Sequence, residues 1–252
     1  MKSIVLNILR NIEIFVAVLQ GKGYGTSSLR NEVGSVLSFI DKIEPLSVID
    51  VGANKGLYID QYLIRNIKLK RVVLVEPSSL NCSILKDKCK KNDFILIKKA
   101  VSDELGKSQL YSDAPGSGLA SLTKRNLDFT DIDYNFSESV EITTLDTIYE
   151  DLFEASEIVD ILKLDIEGYE LAALNGAKKL LANTKFIQFE FGGANLDTHT
   201  SFKDFFYFFQ SYGWSIFRIT PLGLEEITIY REIDEIYRTT NYIAVNNSLI
   251  SK

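Results

Sequence analysis

The chain has 252 residues, 46% of them hydrophobic and 25% charged, the balance of a globular protein with one large core. Its net charge of −6 and lack of a concentrated basic face exclude nucleic acid as the expected partner. One histidine and two cysteines cannot build a structural zinc centre, and Cys82 and Cys89, seven positions apart on an expected helix, stand roughly 10 Å apart, too far for a disulfide. A reduced, cytoplasmic setting and no metal are therefore expected.

Residues 1–45 read as an N-terminal helical extension and 46–252 as one α/β domain. Ile4, Val5, Ile8, Leu9, Ile12, Phe15, Val16 and Leu19 recur at helical spacing, which predicts a helix with one apolar stripe docked on the domain; the alternatives are a homo-oligomer contact and a membrane-surface helix, the latter opposed by the scarcity of cationic charge on the polar face. Arg10, Asn11 and Glu13 interrupt the apolar run too early for a signal sequence or a transmembrane segment. Gly21, Gly23 and Gly25 end this helix, and Ser27 or Ser28 can cap a second one running to about Ile43, ahead of Pro45.

From Leu46 the period alternates. A strand over 46–51 ends at Gly52 and gives way to helical spacing over 57–67; a strand over 71–76 is stopped by Pro77 and followed by a helix from Ser78 or Ser79 to about Lys91, then a strand over 94–98. Strands alternating with helices predict a parallel, doubly wound sheet with right-handed crossovers. Residues 108–112 and 140–144 suggest short edge strands around a long loop, 113–138, expected to act as a mobile lid. A strand over 159–165, a helix over 169–181, a strand over 186–191 and a phenylalanine-rich helix over 201–212 follow. Strands at 214–219 and 242–246 bring the count to seven, the last two forming an antiparallel pair at the sheet edge.

Ligands of open α/β sheets sit beyond the carboxyl ends of the strands. The first exit is Asp50-Val51-Gly52-Ala53-Asn54-Lys55-Gly56, whose glycines let backbone N–H groups approach a ligand while the helix that follows favours a carboxylate, such as that of a methionine moiety. The Gly-x-x-x-Gly spacing lacks the third glycine of a dinucleotide site and the Lys-Ser/Thr pair of a P-loop. Glu76, twenty residues beyond Gly56, ends the second strand where a carboxylate can accept both hydroxyls of a ribose. Ala100, Val101, Ser102 and Asp103 follow the third strand, where adenine would lie.

Lys163, Asp165 and Glu167 alternate with apolar residues, so three charges share one face of a strand that should be buried, and buried charges need partners. In a 3-2-1-4-5 sheet that strand lies beside the first. Glu170 reads as a complement to the next helix dipole. Glu190 ends the fifth strand and His199 follows the Gly192-Gly193 pair, so Asp165, Glu167, Glu190 and His199 are the candidate general bases.

Over about Leu46 to Asn246 the chain resembles the FkbM-type methyltransferases. The resemblance is carried by Val-Ile-Asp-Val-Gly-Ala-Asn-Lys-Gly at 48–56, Val-Glu-Pro at 75–77, Ala-Val-Ser-Asp at 100–103, Thr-Leu-Asp at 144–146 and Ile-Leu-Lys-Leu-Asp-Ile-Glu-Gly-Tyr-Glu at 161–170. It implies a class I, Rossmann-like methyltransferase domain of seven strands over 46–252, S-adenosyl-L-methionine as cofactor, and O-methylation of a sugar, glycan or related small-metabolite hydroxyl. Asp50, Gly52, Asn54 and Gly56 would line the cofactor loop, Glu76 would take the ribose, Ala100, Val101 and Ser102 the adenine side, and Asp165 the reaction mouth. Two other readings stand beside this one. A non-catalytic scaffold of the same fold is opposed by the carboxylates at 76, 165, 167 and 190, and a nicotinamide-dependent sugar oxidoreductase by the missing third glycine.

Overall fold

The computed structural model describes residues 2–24, 29–40 and 44–250. The expected caps Ser27 and Ser28, and a helix end at Ile43, lie outside the described residues. The chain opens with α1 (Lys2–Leu19) and α2 (Leu29–Leu37). The alternating half follows as β1 (Leu46–Val51), α3 (Leu57–Ile64), β2 (Leu69–Val75), α4 (Ser79–Asn92) and β3 (Ile95–Ile97). Next come β4 (Ala100–Val101), β5 (Gly106–Ser112), β6 (Phe136–Thr143), α5 (Leu145–Leu152), β7 (Val159–Leu164), α6 (Glu170–Asn175), α7 (Lys178–Ala182) and β8 (Thr184–Phe191). The chain closes with α8 (Ala194–Asp197), α9 (Phe202–Ser211), β9 (Trp214–Thr220), β10 (Gly223–Glu226) and β11 (Thr240–Asn246).

The main sheet runs β10-β9-β11-β8-β7-β1-β2-β3, with β8, β7, β1, β2 and β3 parallel. Every residue of β1 and β7 is buried, because helices cover both faces of this part of the sheet and their apolar runs can be continuous. On one face α2, α3 and α4 pack Val33, Val36, Tyr62 and Leu85 against Val48, Leu74 and Ile161. On the other, α9 begins with a capping box between Ser201 and Asp204 and lays an aromatic layer on the sheet, Phe205 stacking on Phe189 at 5.0 Å and Phe202 on Tyr242 at 4.5 Å.

Four expectations need correction. The sheet has eight strands rather than seven, because a turn at Thr220, whose hydroxyl donates to the Gly223 carbonyl, folds β10 back onto β9. The closing pair β9 and β11 is antiparallel as expected, but β11 lies between β8 and β9, so β10 forms the edge. The strands around residues 113–138 pair with each other and with β4 in a separate three-stranded sheet. The helix expected over 169–181 breaks into α6 and α7 at Gly176, where a Cβ would lie 2.7 Å from the Ser102 carbonyl oxygen.

The docked N-terminal stripe is also overturned. In α1, Ile4, Ile8, Ile12 and Phe15 are exposed, and so are Leu6 and Ile14 off the stripe. Both sheet faces are covered by the other helices, and the apolar side chains of α1 are not buried against them. Among the described residues, no helix is long and apolar enough to cross a membrane. Cys82 and Cys89 are free and buried.

Candidate active site

Two cavities lie over the carboxyl ends of the parallel strands. The first, of about 440 Å³, is walled by the loop Gly52–Lys55, by Val75–Pro77 at the end of β2, by Lys99–Val101, and by Lys163 with Asp165–Glu167 at the end of β7. That volume is in the range of small-molecule and cofactor pockets.

The glycine loop is shaped by its neighbours. Gly52 has φ 75° and a Cβ there would lie 1.9 Å from the Asp165 carbonyl oxygen, so only glycine lets the β1 exit pass the β7 exit. The α3 N-terminus has no side-chain cap, and Leu57 and Tyr58 of its first turn line the cavity, an arrangement suited to an anionic ligand group. Glu76 is buried; its Oε2 accepts from the Asn54 N–H at 2.8 Å and its Oε1 from the Ser78 N–H at 2.9 Å and from Asn81 Nδ2 at 3.3 Å. One carboxylate thus fixes the loop and stands on the cavity wall. Burial raises its pKa against the opposing pull of these donors.

Asp50, Gly56 and Ser102 do not reach this wall, whereas Gly52, Asn54, Glu76, Ala100, Val101 and Asp165 do. Asp50 is fully buried beneath the loop, 3.3 Å from Lys163 Nζ, its register partner on β7. Lys163 Nζ also lies 3.2 Å from Asp165 Oδ2 and donates to the Gly52 carbonyl at 3.1 Å. Burial opposes the charge of Lys163, but Asp165 and Asp50 together hold its pKa above the ordinary value. Ser102 is buried and donates to Asp103. Gly56 is the left-handed N-cap residue of α3.

The second cavity, of about 420 Å³, adjoins the first through the shared residue Glu167. Its wall includes Glu190, Arg125, Phe129, Asn195 and Arg238. Glu167 has a left-handed backbone at φ 52° and meets Arg125 Nη1 at 2.9 Å, while Arg125 Nε meets Asp197 at 3.1 Å. Burial and then Asp165 push the Glu167 carboxyl up to about 8, and burial with the same neighbour raises Glu190 well above the carboxylate range. Asp165, Glu167 and Glu190 bring one carboxylate oxygen each within 4.8 Å, a spacing at which they share protons or surround a cation.

His199 stands apart from this cluster. It is exposed, follows α8 with φ 56°, and lines neither cavity. Glu170 is buried at the start of α6 and accepts from the Ile166 and Gly168 N–H groups, so it fixes the turn that carries Asp165 and Glu167. The segment expected as a lid is tied down: Tyr134 donates to the carbonyls of Tyr111 and Leu119, and Ser121 donates to that of Glu167. It supplies Gly116–Gly118 to the first cavity and Arg125 and Phe129 to the second.

Sequence reasoning missed Glu32 and Tyr58, both on the first cavity's wall. Gln188 of β8 donates to Glu32 Oε2 at 3.0 Å and accepts from Tyr58 Oη at 2.9 Å. The one sequence signal for Glu32 is an acid set between Leu29 and Val33 on an otherwise apolar helix face.

A family model for the methyltransferase FkbM domain matches residues 50–216. No protein of curated function matches the chain in sequence. Among solved structures the chain is similar to a methyltransferase FkbM from Methylobacillus flagellatus KT, with 15% identity and a TM-score of 0.50 over 94% of this chain and 60% of that one. It therefore spans about three fifths of that protein's length, and at this identity the likeness bears on the fold. It is also similar to a precorrin-6y C5,15-methyltransferase from Geobacter metallireducens GS-15, with 13% identity and a TM-score of 0.42 over 84% of this chain and 86% of that one. A third similar structure is M. capricolum TrmK in complex with S-adenosyl-homocysteine, with 13% identity and a TM-score of 0.44 over 87% of this chain and 69% of that one.

Proposed function

The chain belongs to the FkbM methyltransferase family, and from that premise we propose that it is an S-adenosylmethionine-dependent enzyme methylating a hydroxyl of a sugar, glycan or related small metabolite. The observation that carries the proposal is the first cavity, where the Gly52 loop, Glu76 and Ala100–Val101 share one wall with the acidic exit of β7. Its donor set fits the cofactor: a carboxylate for ribose hydroxyls, small apolar side chains for adenine, and an uncapped helix N-terminus for the methionine carboxylate. Bound there, S-adenosylmethionine would supply a methyl group already activated on a sulfonium.

What remains for the protein is to align an acceptor oxygen and to take its proton. Supporting the acceptor class, the second cavity offers carboxylates and the guanidinium groups of Arg125 and Arg238 for hydroxyl groups, and the Phe129 ring, 82% exposed, as a platform for the C–H face of a sugar. Glu190 is our choice of base: it lines the second cavity and no protein hydrogen bond occupies its carboxylate among the described residues. Burial and the neighbouring carboxylates disfavour its ionised form, the positive charge of a bound cofactor would favour it, and once ionised it is a stronger base than a free carboxylate. Glu190 would accept the hydroxyl proton as the acceptor oxygen takes the methyl group.

Calorimetry with S-adenosylhomocysteine tests the cofactor assignment. Wild-type protein should bind it, and Glu76→Ala should weaken binding by roughly 10- to 100-fold, the loss of charge-assisted bonds to the ribose and of the loop's anchor. Folded wild-type protein that does not bind would overturn the proposal.

A further inference from the structure

The strand order gives the first cavity a direction. Lys99–Val101 follow β3, Glu76 ends β2, and Gly52, Lys163 and Asp165 mark the ends of β1 and β7 on the other side. A nucleoside set against Ala100 and Glu76 therefore extends its amino-acid end toward β7. At that end Glu32 of α2 forms the wall, 7% exposed and held by Gln188, which is the register partner of Lys163 on β8.

Charge at this end is unevenly matched. Lys163 already meets Asp50, Asp165 and the Gly52 carbonyl. Among the described residues Glu32 has no cation of its own: Oε2 takes the Gln188 amide, and Oε1 has no protein donor. Burial and the neighbouring Asp165 push its carboxyl up to about 7, with Lys163 and Gln188 pulling the other way. A buried carboxylate left without a cation on a cavity wall is a site for one.

We propose that Glu32 binds the α-ammonium of the cofactor's amino-acid end, so that α2, ahead of the first strand and outside the matched residues 50–216, is part of the binding site. This rests on the S-adenosylmethionine reading given above. Val33, Val36 and Leu37 of the same helix are buried in the core against the sheet, so the carboxylate is delivered on a fixed element.

The test compares two ligands in wild-type protein and in Glu32→Gln, with the thermal midpoint of the variant confirming that it folds. S-adenosylhomocysteine carries the ammonium; 5′-methylthioadenosine has the same nucleoside without the amino acid. Glu32→Gln should weaken S-adenosylhomocysteine by roughly 10- to 100-fold and leave 5′-methylthioadenosine within about twofold. Equal weakening of both ligands would show a merely structural carboxylate, and no change in either would show that no contact exists; each overturns the inference while leaving the cofactor assignment intact. Wild-type protein that binds neither ligand overturns both.

Discussion

Asp50 and Lys163 show how far a single side chain can be read from its position. The alternation of Lys163, Asp165 and Glu167 on a buried strand signalled charges in need of partners: the β1–β7 pairing brings Asp50 to Lys163, Asp165 meets Lys163 on its own strand, and Arg125 of the segment 113–138 meets Glu167. The loop sequence, however, assigns Asp50 to the cofactor wall, whereas the carboxylate turns under the loop and is used up by Lys163. A strand end specifies a place, and the neighbouring strand decides what the side chain there meets. His199 is not our choice of base for a related reason: its chemistry suits the role, but the turn after α8 leaves it exposed and on the wall of neither cavity. Glu190→Gln should therefore lower turnover by about 10²- to 10⁴-fold while leaving S-adenosylhomocysteine affinity within about twofold. His199→Ala should leave both unchanged. Steady-state kinetics with an accepted hydroxyl substrate, alongside calorimetry, checks the pair of variants, and a Glu190→Gln enzyme with full turnover would remove Glu190 from the mechanism.

Elements were legible wherever a short apolar run gave way to a period of 3.6, which covers β1 through β3 with α3 and α4, and the strands β7 and β8. The misses have physical causes. β10 is a four-residue edge strand, Gly223-Leu224-Glu225-Glu226, too exposed to show an apolar pattern, and the insertion of β11 between β8 and β9 follows from antiparallel pairing that no local signal specifies. The α6–α7 break was hidden because the apolar period runs through Leu174, Ala177 and Leu181 without interruption. What breaks the helix is tertiary: Gly176 passes within contact of the backbone at Ser102 and Asp103, next to Ala100 and Val101 on the first cavity's wall. Gly176→Ala should consequently destabilise the protein by about 1–3 kcal/mol, since the clash is with backbone and cannot be relieved by a side-chain rotation. Urea unfolding measures this, and an unchanged midpoint would mean that the Ser102 loop moves freely away from α6.

At the scale of the whole molecule, the active-site end gathers carboxyl groups faster than it gathers cations. Glu32 and Glu170 are pushed to about 7 and Glu167 to about 8, each chiefly by burial, and Glu190 is raised well above its ordinary value by burial and by Asp165, Glu167 and Glu170. The cations that form ion pairs with this cluster are Lys163 and Arg125, while Lys55, Lys99 and Arg238 also line the two cavities. The sign of the linkage is fixed by the direction of these shifts. Below the ordinary carboxylate range these groups are protonated in both folded and unfolded chains; between about 4.5 and 8 the unfolded chain ionises while the folded one keeps its protons, so folding loses stability as pH rises. Their contribution should make the unfolding midpoint of the ligand-free protein fall from pH 5 to pH 8, and Glu190→Gln, which removes one of the titrating groups, should flatten the fall. S-adenosylmethionine brings an ammonium and a sulfonium to the same end, so the rise in midpoint it produces should grow over that interval. A thermal-shift series with and without cofactor decides it: a ligand-free midpoint that climbs toward pH 8, or a cofactor effect that shrinks, would mean that the cluster is relieved of its charge in some other way.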